Sequence, residues 1–162
     1  HQQLTEAYRL MDVALIILQF GGNSVPYTTN AVAAAEYAHS MAAQIELRRR
    51  ACPEATLLFL GPSDMSTTVR GELASYPYLA ATIAHLRDTV LAHGAAYWSI
   101  YHAMGGQGSM LVWNRNGLAG PDYIHFTQKG ADLMGDRLVE ALERQRAYYH
   151  FRLRNKTNLA EL

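Results

Sequence analysis

Cysteine is nearly missing from this chain. Cys52 is the single one among 162 residues, so no internal disulfide is available, and no Cys-x-x-Cys or Cys/His ligand spacing surrounds it. A dominant charge is missing too. Lys plus Arg and Asp plus Glu number 14 each, which leaves no field to draw the chain to nucleic acid or to an anionic membrane. A small, neutral or locally recognised ligand is the expectation. Long apolar runs are absent: the longest, Val13 to Phe20, is far too short to span a bilayer. His1-Gln2-Gln3 has neither the basic nor the apolar region of a signal peptide. No pair of histidines has a ligand spacing supported by a third residue, so no metal is expected, nor any cofactor.

What is present is an alternation. With 49% of its residues apolar, the chain can bury a core as one domain, residues 1–150, followed by a basic, polar, frayed tail at 151–162. After a short helical segment from Leu4 to Met11, the run Val13 to Phe20 reads as a parallel strand covered on both faces, ended by Gly21-Gly22. Such a strand belongs in the centre of a sheet. A helix capped by Thr29 or Asn30 runs to about Arg50. Thr56 to Leu60 is a second strand, ended by Gly61-Pro62. Pro77 opens a helix whose Leu79, Ile83, Leu86 and Val90 form one stripe. Ala95 to Tyr101 is a third strand. A glycine-rich stretch from Met104 to Gly120 follows, too long for a plain connection and hence a candidate functional loop. A last helix begins near Thr127 and turns Leu133, Met134, Leu138 and Leu142 inward. The fold class is α/β, with a parallel sheet and right-handed crossovers.

Ligands of open α/β sheets sit beyond the carboxyl ends of the strands. There the sequence places Gly22, Asn23 and Ser24, then Ser63 and Asp64, then His102 and the long loop that ends in Asp122 and His125. An aspartate three residues before a histidine can accept from imidazole Nδ1–H and leave Nε2 as a general base. Found alone, the same pair is more often a turn-capping aspartate beside an incidental histidine. Asn23 at a strand end can donate its side-chain amide to a developing oxyanion, or can be an asparagine in a left-handed turn. None of Ser24, Ser63, Ser66 and Ser109 lies in a G-x-S-x-G elbow. His39, His85 and His93 fall on helices or at their ends, and His102 is a candidate pocket residue. Trp98, Tyr101 and Trp113 are candidates for a sugar-stacking wall or for core packing.

Taken together, Gly21-x-Asn23 after a buried strand and Asp122-x-x-His125 before the last helix resemble the third and fifth conserved blocks of the SGNH/GDSL hydrolase superfamily. Leu18 to Asn23, Gly61 to Ser66, Trp98 to Gly106 and Tyr123 to Gly130 resemble a bacterial branch related to peptidoglycan and polysaccharide O-acetylesterases. The resemblance covers nearly the whole chain. It implies a flavodoxin-like three-layer α/β/α fold with sheet order 2-1-3-4-5, Asn23 in the oxyanion hole, His125 as general base and Asp122 as its partner. It also implies a nucleophilic serine after the family's first strand and a backbone-donating glycine after the second. Neither motif is visible here, so the three strands match the family's third to fifth, and the chain is expected to be the C-terminal part of the domain. The implied substrate is an O-acetylated glycan or another cell-wall ester, and the implied setting is periplasmic, envelope-bound or secreted. A non-catalytic carbohydrate-binding or interaction module is the alternative. The edge of strand 13–20 is expected to be covered by a second copy of the chain, making a homo-oligomer, or by a displaced segment.

Overall fold

The computed structural model describes residues 2–160. In chain order it contains α1 (Gln2–Leu10), β1 (Leu15–Gln19), a 3-10 turn (Gly22–Tyr27), α2 (Ala31–Ala51), β2 (Thr56–Gly61), β3 (Ser66–Val69) and β4 (Glu72–Ser75). Then come α3 (Leu79–Ala92), β5 (Ala96–Ser99), α4 (Ile100–Met104), α5 (Ser109–Arg115) and α6 (Gln128–Ala160). Strands β1, β2 and β5 pair in parallel in that order, with Ile17 opposite Leu58 and Leu60 opposite Trp98. Helices cover both faces, which is a flavodoxin-like α/β/α arrangement.

Alternation along the strands sorts the core into two layers. Ile16, Leu18, Leu57 and Phe59 face Ala38 and Ile45 of α2 and Leu86 and Val90 of α3. Leu58 and Leu60 point the other way, to Ile100, Met104, Met110, Trp113 and Met134. Asn30 caps α2 by accepting from the Ala33 N–H at 2.9 Å, and so satisfies one of the free donors of the first turn.

The structure departs from the sequence reading in four places. First, β1 is the edge strand that the family pattern implied, but it is buried on one face only and not on both. Ile16 and Leu18 are 8% and 6% exposed, whereas Leu15 and Ile17 are 43% and 46% exposed. The pairing partner and covering helix that a central strand needs are not among the described residues on that side. Second, β3 and β4 form a hairpin where only a connection was expected. Its turn is Arg70-Gly71, both at positive φ, 52° and 87°, as a two-residue hairpin turn requires. Third, the third strand stops at Ser99 and passes straight into α4, and the glycine-rich loop contains α5. Tyr101 and Trp113 are core residues at 7% and 4% exposure rather than an open wall. Fourth, α6 continues through the stretch read as a frayed tail as far as Ala160; residues 161–162 lie outside the described residues. No helix of the described residues is long and apolar enough to cross a membrane.

Two glycines of α6 make a paired test of packing. A Cβ at Gly130 would collide with the Leu118 backbone carbonyl, which belongs to the loop below and cannot swing away, whereas a Cβ at Gly135 meets nothing within 4 Å. Gly130→Ala is expected to cost about 1–3 kcal/mol and Gly135→Ala to stabilise by up to about 1 kcal/mol. Thermal or urea unfolding of both variants checks the pair, and equal effects would contradict the packing described.

Candidate active site

The parallel sheet delivers three polar loops to one edge. Beyond β1, Gly21 turns at φ 114° with Pro62 and Leu86 close enough that a Cβ would meet them at 3.1 and 3.3 Å. Only glycine combines that conformation with that approach. The 3-10 turn is tied back by Ser24, whose N–H and hydroxyl both donate to the Gly21 carbonyl, at 3.1 and 2.8 Å. Asn23 is exposed at the start of this turn. Together with Gly22, Tyr37, Pro62, Ser63 and Ile100 it lines a hollow of about 300 Å³ at the carboxyl ends of β1 and β2.

Asp64, next to Ser63, does not open onto that hollow. It is fully buried, and its Oδ2 accepts from the Met110 N–H at 2.8 Å. It therefore anchors the first turn of α5, while Oδ1 and the buried hydroxyls of Ser66 and Ser109 have no partner. Beyond β5, Ser99 accepts from the His102 N–H at 3.2 Å, and its hydroxyl oxygen lies 2.7 Å from His102 Nδ1. His102 is thus exposed but committed to the cap of α4.

The third loop holds the Asp122–His125 pair. Asp122 Oδ2 lies 2.7 Å from His125 Nδ1, and Asp122 Oδ1 accepts from the N–H groups of Ile124 and His125 at 3.0 and 3.1 Å. These three interactions hold the Asp122 carboxyl well below its usual range, at about 2, with the His125 hydrogen bond the largest cause and the two backbone donors next. An ionised carboxylate only accepts. Nδ1 must therefore carry the proton, and the neutral imidazole presents a bare Nε2.

Backbone bonds fix the loop from several sides. The Gly120 N–H donates to the His125 carbonyl at 2.8 Å, Thr127 N–H to the Leu118 carbonyl at 3.1 Å, and Ser66 N–H to the Tyr123 carbonyl at 3.0 Å. Asn114 Nδ2 holds the Gly120 carbonyl at 2.8 Å, and Tyr123 takes a left-handed φ of 57°. The loop shares one buried cluster with the Asn23 turn. Ile124 and Val25 both pack with Met65, Leu79, Ile83 and Tyr101.

Sequence reasoning missed two supports of this loop, the hairpin through Ser66 and the anchoring role of Asp64. The hairpin had a signal in Arg70-Gly71 between Thr/Val and Leu/Ala runs. Asp64 had none, since its burial depends on α5. Among the described residues no serine hydroxyl bonds His125, and no group of His, Cys, Asp and Glu is arranged to hold a metal ion.

No family model and no curated protein matches the chain. A solved structure described as "Peptidoglycan O-acetylesterase in action, 5 min" is similar, at 25% identity and TM-score 0.71, over 81% of this chain and 37% of that one. A second solved structure, at 15% identity and TM-score 0.59, covers 80% of this chain and 64% of that chain and shares the fold. The chain thus spans little more than a third of the O-acetylesterase it resembles.

The Asp122 shift has a sign that can be checked. Because its folded pKa is depressed, the interaction contributes fully above the ordinary carboxyl range near pH ~4 and is lost as pH falls towards about 2. In an NMR titration the Asp122 carboxyl carbon is expected to shift with a midpoint near 2. His125→Ala is expected to move that midpoint upward while the two backbone donors keep it below the ordinary value. An unmoved midpoint would show that the histidine is not the main partner.

Proposed function

We propose that this chain carries the general base and part of the oxyanion hole of a serine ester hydrolase of the SGNH/GDSL type. Its substrates are O-acetylated carbohydrates or other cell-wall esters, its setting is the periplasm, envelope or exterior, and the nucleophilic serine comes from outside this chain. The 2.7 Å contact between Asp122 Oδ2 and His125 Nδ1 carries the reading. The likeness to a peptidoglycan O-acetylesterase supports the ester and the glycan.

In this mechanism the serine hydroxyl attacks the ester carbonyl and His125 Nε2 takes its proton. Asp122 stabilises the resulting imidazolium, and Asn23 Nδ2 donates to the oxyanion, a contribution of roughly 3 kcal/mol for one such donor. His125 then returns the proton to the leaving alcohol, and water repeats the sequence on the acyl-serine. Ser63 and Gly22 line the hollow beside Asn23 and are positioned to contact the substrate. His102 stands further along the same edge.

The chain on its own is expected to hydrolyse p-nitrophenyl acetate no faster than background. A rate well above background that disappears in His125→Ala would overturn the placement of the nucleophile outside it. In an assembly that supplies the serine, Asn23→Ala is expected to lower kcat by about 10²–10³ and His125→Ala by on the order of 10⁴ or more. If no such assembly shows esterase activity while the chain still binds O-acetylated glycan in calorimetry, the carbohydrate-binding alternative replaces this one.

A further inference from the structure

Among the described residues Asp64 is the only fully buried acid, and it takes part in none of the ion pairs there. An unpaired buried carboxylate lowers stability, and an apolar side chain of similar size is the better choice for a core that serves stability alone. Its Oδ1 and the hydroxyls of Ser66 and Ser109, all within two residues of the Asp64–Met110 contact, are buried without partners, which adds to that cost. Proteins carry such costs where a position has to be held.

What Asp64 holds is the support of the His125 loop. Its Oδ2 accepts from the Met110 N–H at 2.8 Å, in the first turn of α5. Gly108, just ahead of that helix, donates its N–H to Ser75 Oγ of the hairpin at 2.9 Å. Two turns of helix are stiff, so a fix at Met110 is carried to Trp113 and Asn114, about 6 Å further along the axis. Those two residues touch the loop. The Trp113 carbonyl accepts from the Leu118 N–H at 2.8 Å, and the Trp113 ring packs against Phe126 with centroids 5.1 Å apart. Asn114 Nδ2 donates to the carbonyls of Ala119 and Gly120 at 3.3 and 2.8 Å. Two residues beyond Asp64, the Ser66 N–H donates to the Tyr123 carbonyl at 3.0 Å. The loop is therefore gripped at Leu118–Gly120 and again at Tyr123, and both grips start from Asp64–Ser66. On the other side of Asp64, Ser63 lines the hollow beside Asn23. One short segment thus reaches from the Asn23 side of the site to the His125 side.

We infer that Asp64 is a positioning residue of this site: through α5 and through Ser66 it fixes where the His125 imidazole stands relative to Asn23. Acyl transfer is sensitive to that separation, because one serine oxygen has to reach Nε2 while the carbonyl it attacks reaches Asn23, and a displacement of about 1 Å costs up to ~10²-fold in rate. The catalytic consequence rests on the hydrolase reading, and the structural one rests on the hydrogen bonds alone. Residue 64 has to supply an oxygen that accepts from Met110; a negative charge is not required.

Asp64→Asn keeps such an oxygen and Asp64→Ala does not. In the full chain, Asp64→Ala is expected to raise the midpoint of the Asp122 carboxyl-carbon titration above its starting value of about 2, because a loosened loop opens the contact with His125. Asp64→Asn is expected to restore the low midpoint. Thermal unfolding is followed alongside. A loss of stability in Asp64→Ala with an unmoved midpoint makes Asp64 a structural residue only and overturns the inference. Should Asp64→Ala fail to fold, Asn114→Ala at the other end of α5 is expected to give the same upward shift, and an unmoved midpoint there overturns it equally. In an assembly that supplies the serine, Asp64→Ala is expected to lower kcat by about 10–10² with KM within about two-fold, and Asp64→Asn to recover most of the loss. Equal kcat in Asp64→Ala and the unsubstituted protein overturns the positioning role and leaves the hydrolase reading intact. An assembly without esterase activity removes the hydrolase reading, while the midpoint still decides what Asp64 does to the loop.

Discussion

The site depends first on the parallel register of β1, β2 and β5. Because all three strands point the same way, with Gln19 opposite Leu60 and Gly61 opposite Ser99, their carboxyl ends reach one edge together. The loops that follow then have no choice of side. Once there, Val25, Met65, Tyr101 and Ile124 pack into one buried cluster, which ties the Asn23 turn, the β2–β3 connection, α4 and the His125 loop to a common base. Burying such side chains stabilises by about 1.5–3 kcal/mol each. Polar groups at the rim can therefore be held in place without being buried themselves.

Asp122 and His125 show the consequence. Their side chains are 47% and 79% exposed, yet the pair is fixed, because both carboxylate oxygens of Asp122 are in use and the backbone around them is bonded to α5, to the hairpin and to the Leu118–Gly120 segment. The orientation is thus supplied by the loop and not by enclosure. An imidazole base and an amide donor act far more strongly where water is excluded. The half-exposed face of β1 lies next to the Asn23 end of this edge, so among the described residues the least covered part of the core and the Asn23 side of the candidate site are neighbours.

Much of this was legible in the residues. Apolar runs ended by Gly-Gly and Gly-Pro marked β1 and β2, the Leu79–Val90 stripe marked α3, and the rule of carboxyl-end sites singled out Asn23, Asp122 and His125. The misreadings share a cause. An apolar run reports that a strand wants burial and not whether a neighbour is there to provide it, so Leu15 and Ile17 read as core while standing nearly half exposed. Asp64 reads as a pocket group because it follows a strand, but α5 folds over it and takes its carboxylate. The hairpin and α5 escaped because short elements in a glycine-rich stretch have little periodicity, and only the Arg70-Gly71 turn announces one of them.

The account turns on the tautomer of His125. A long-range proton–nitrogen NMR correlation of the imidazole near neutral pH measures it directly. The predicted result is a proton on Nδ1 and a bare Nε2 in the neutral ring, with Nε2 taking up the proton as the ring becomes charged. A neutral ring protonated at Nε2 would contradict the account, because the nitrogen meant to accept a serine proton would already be occupied.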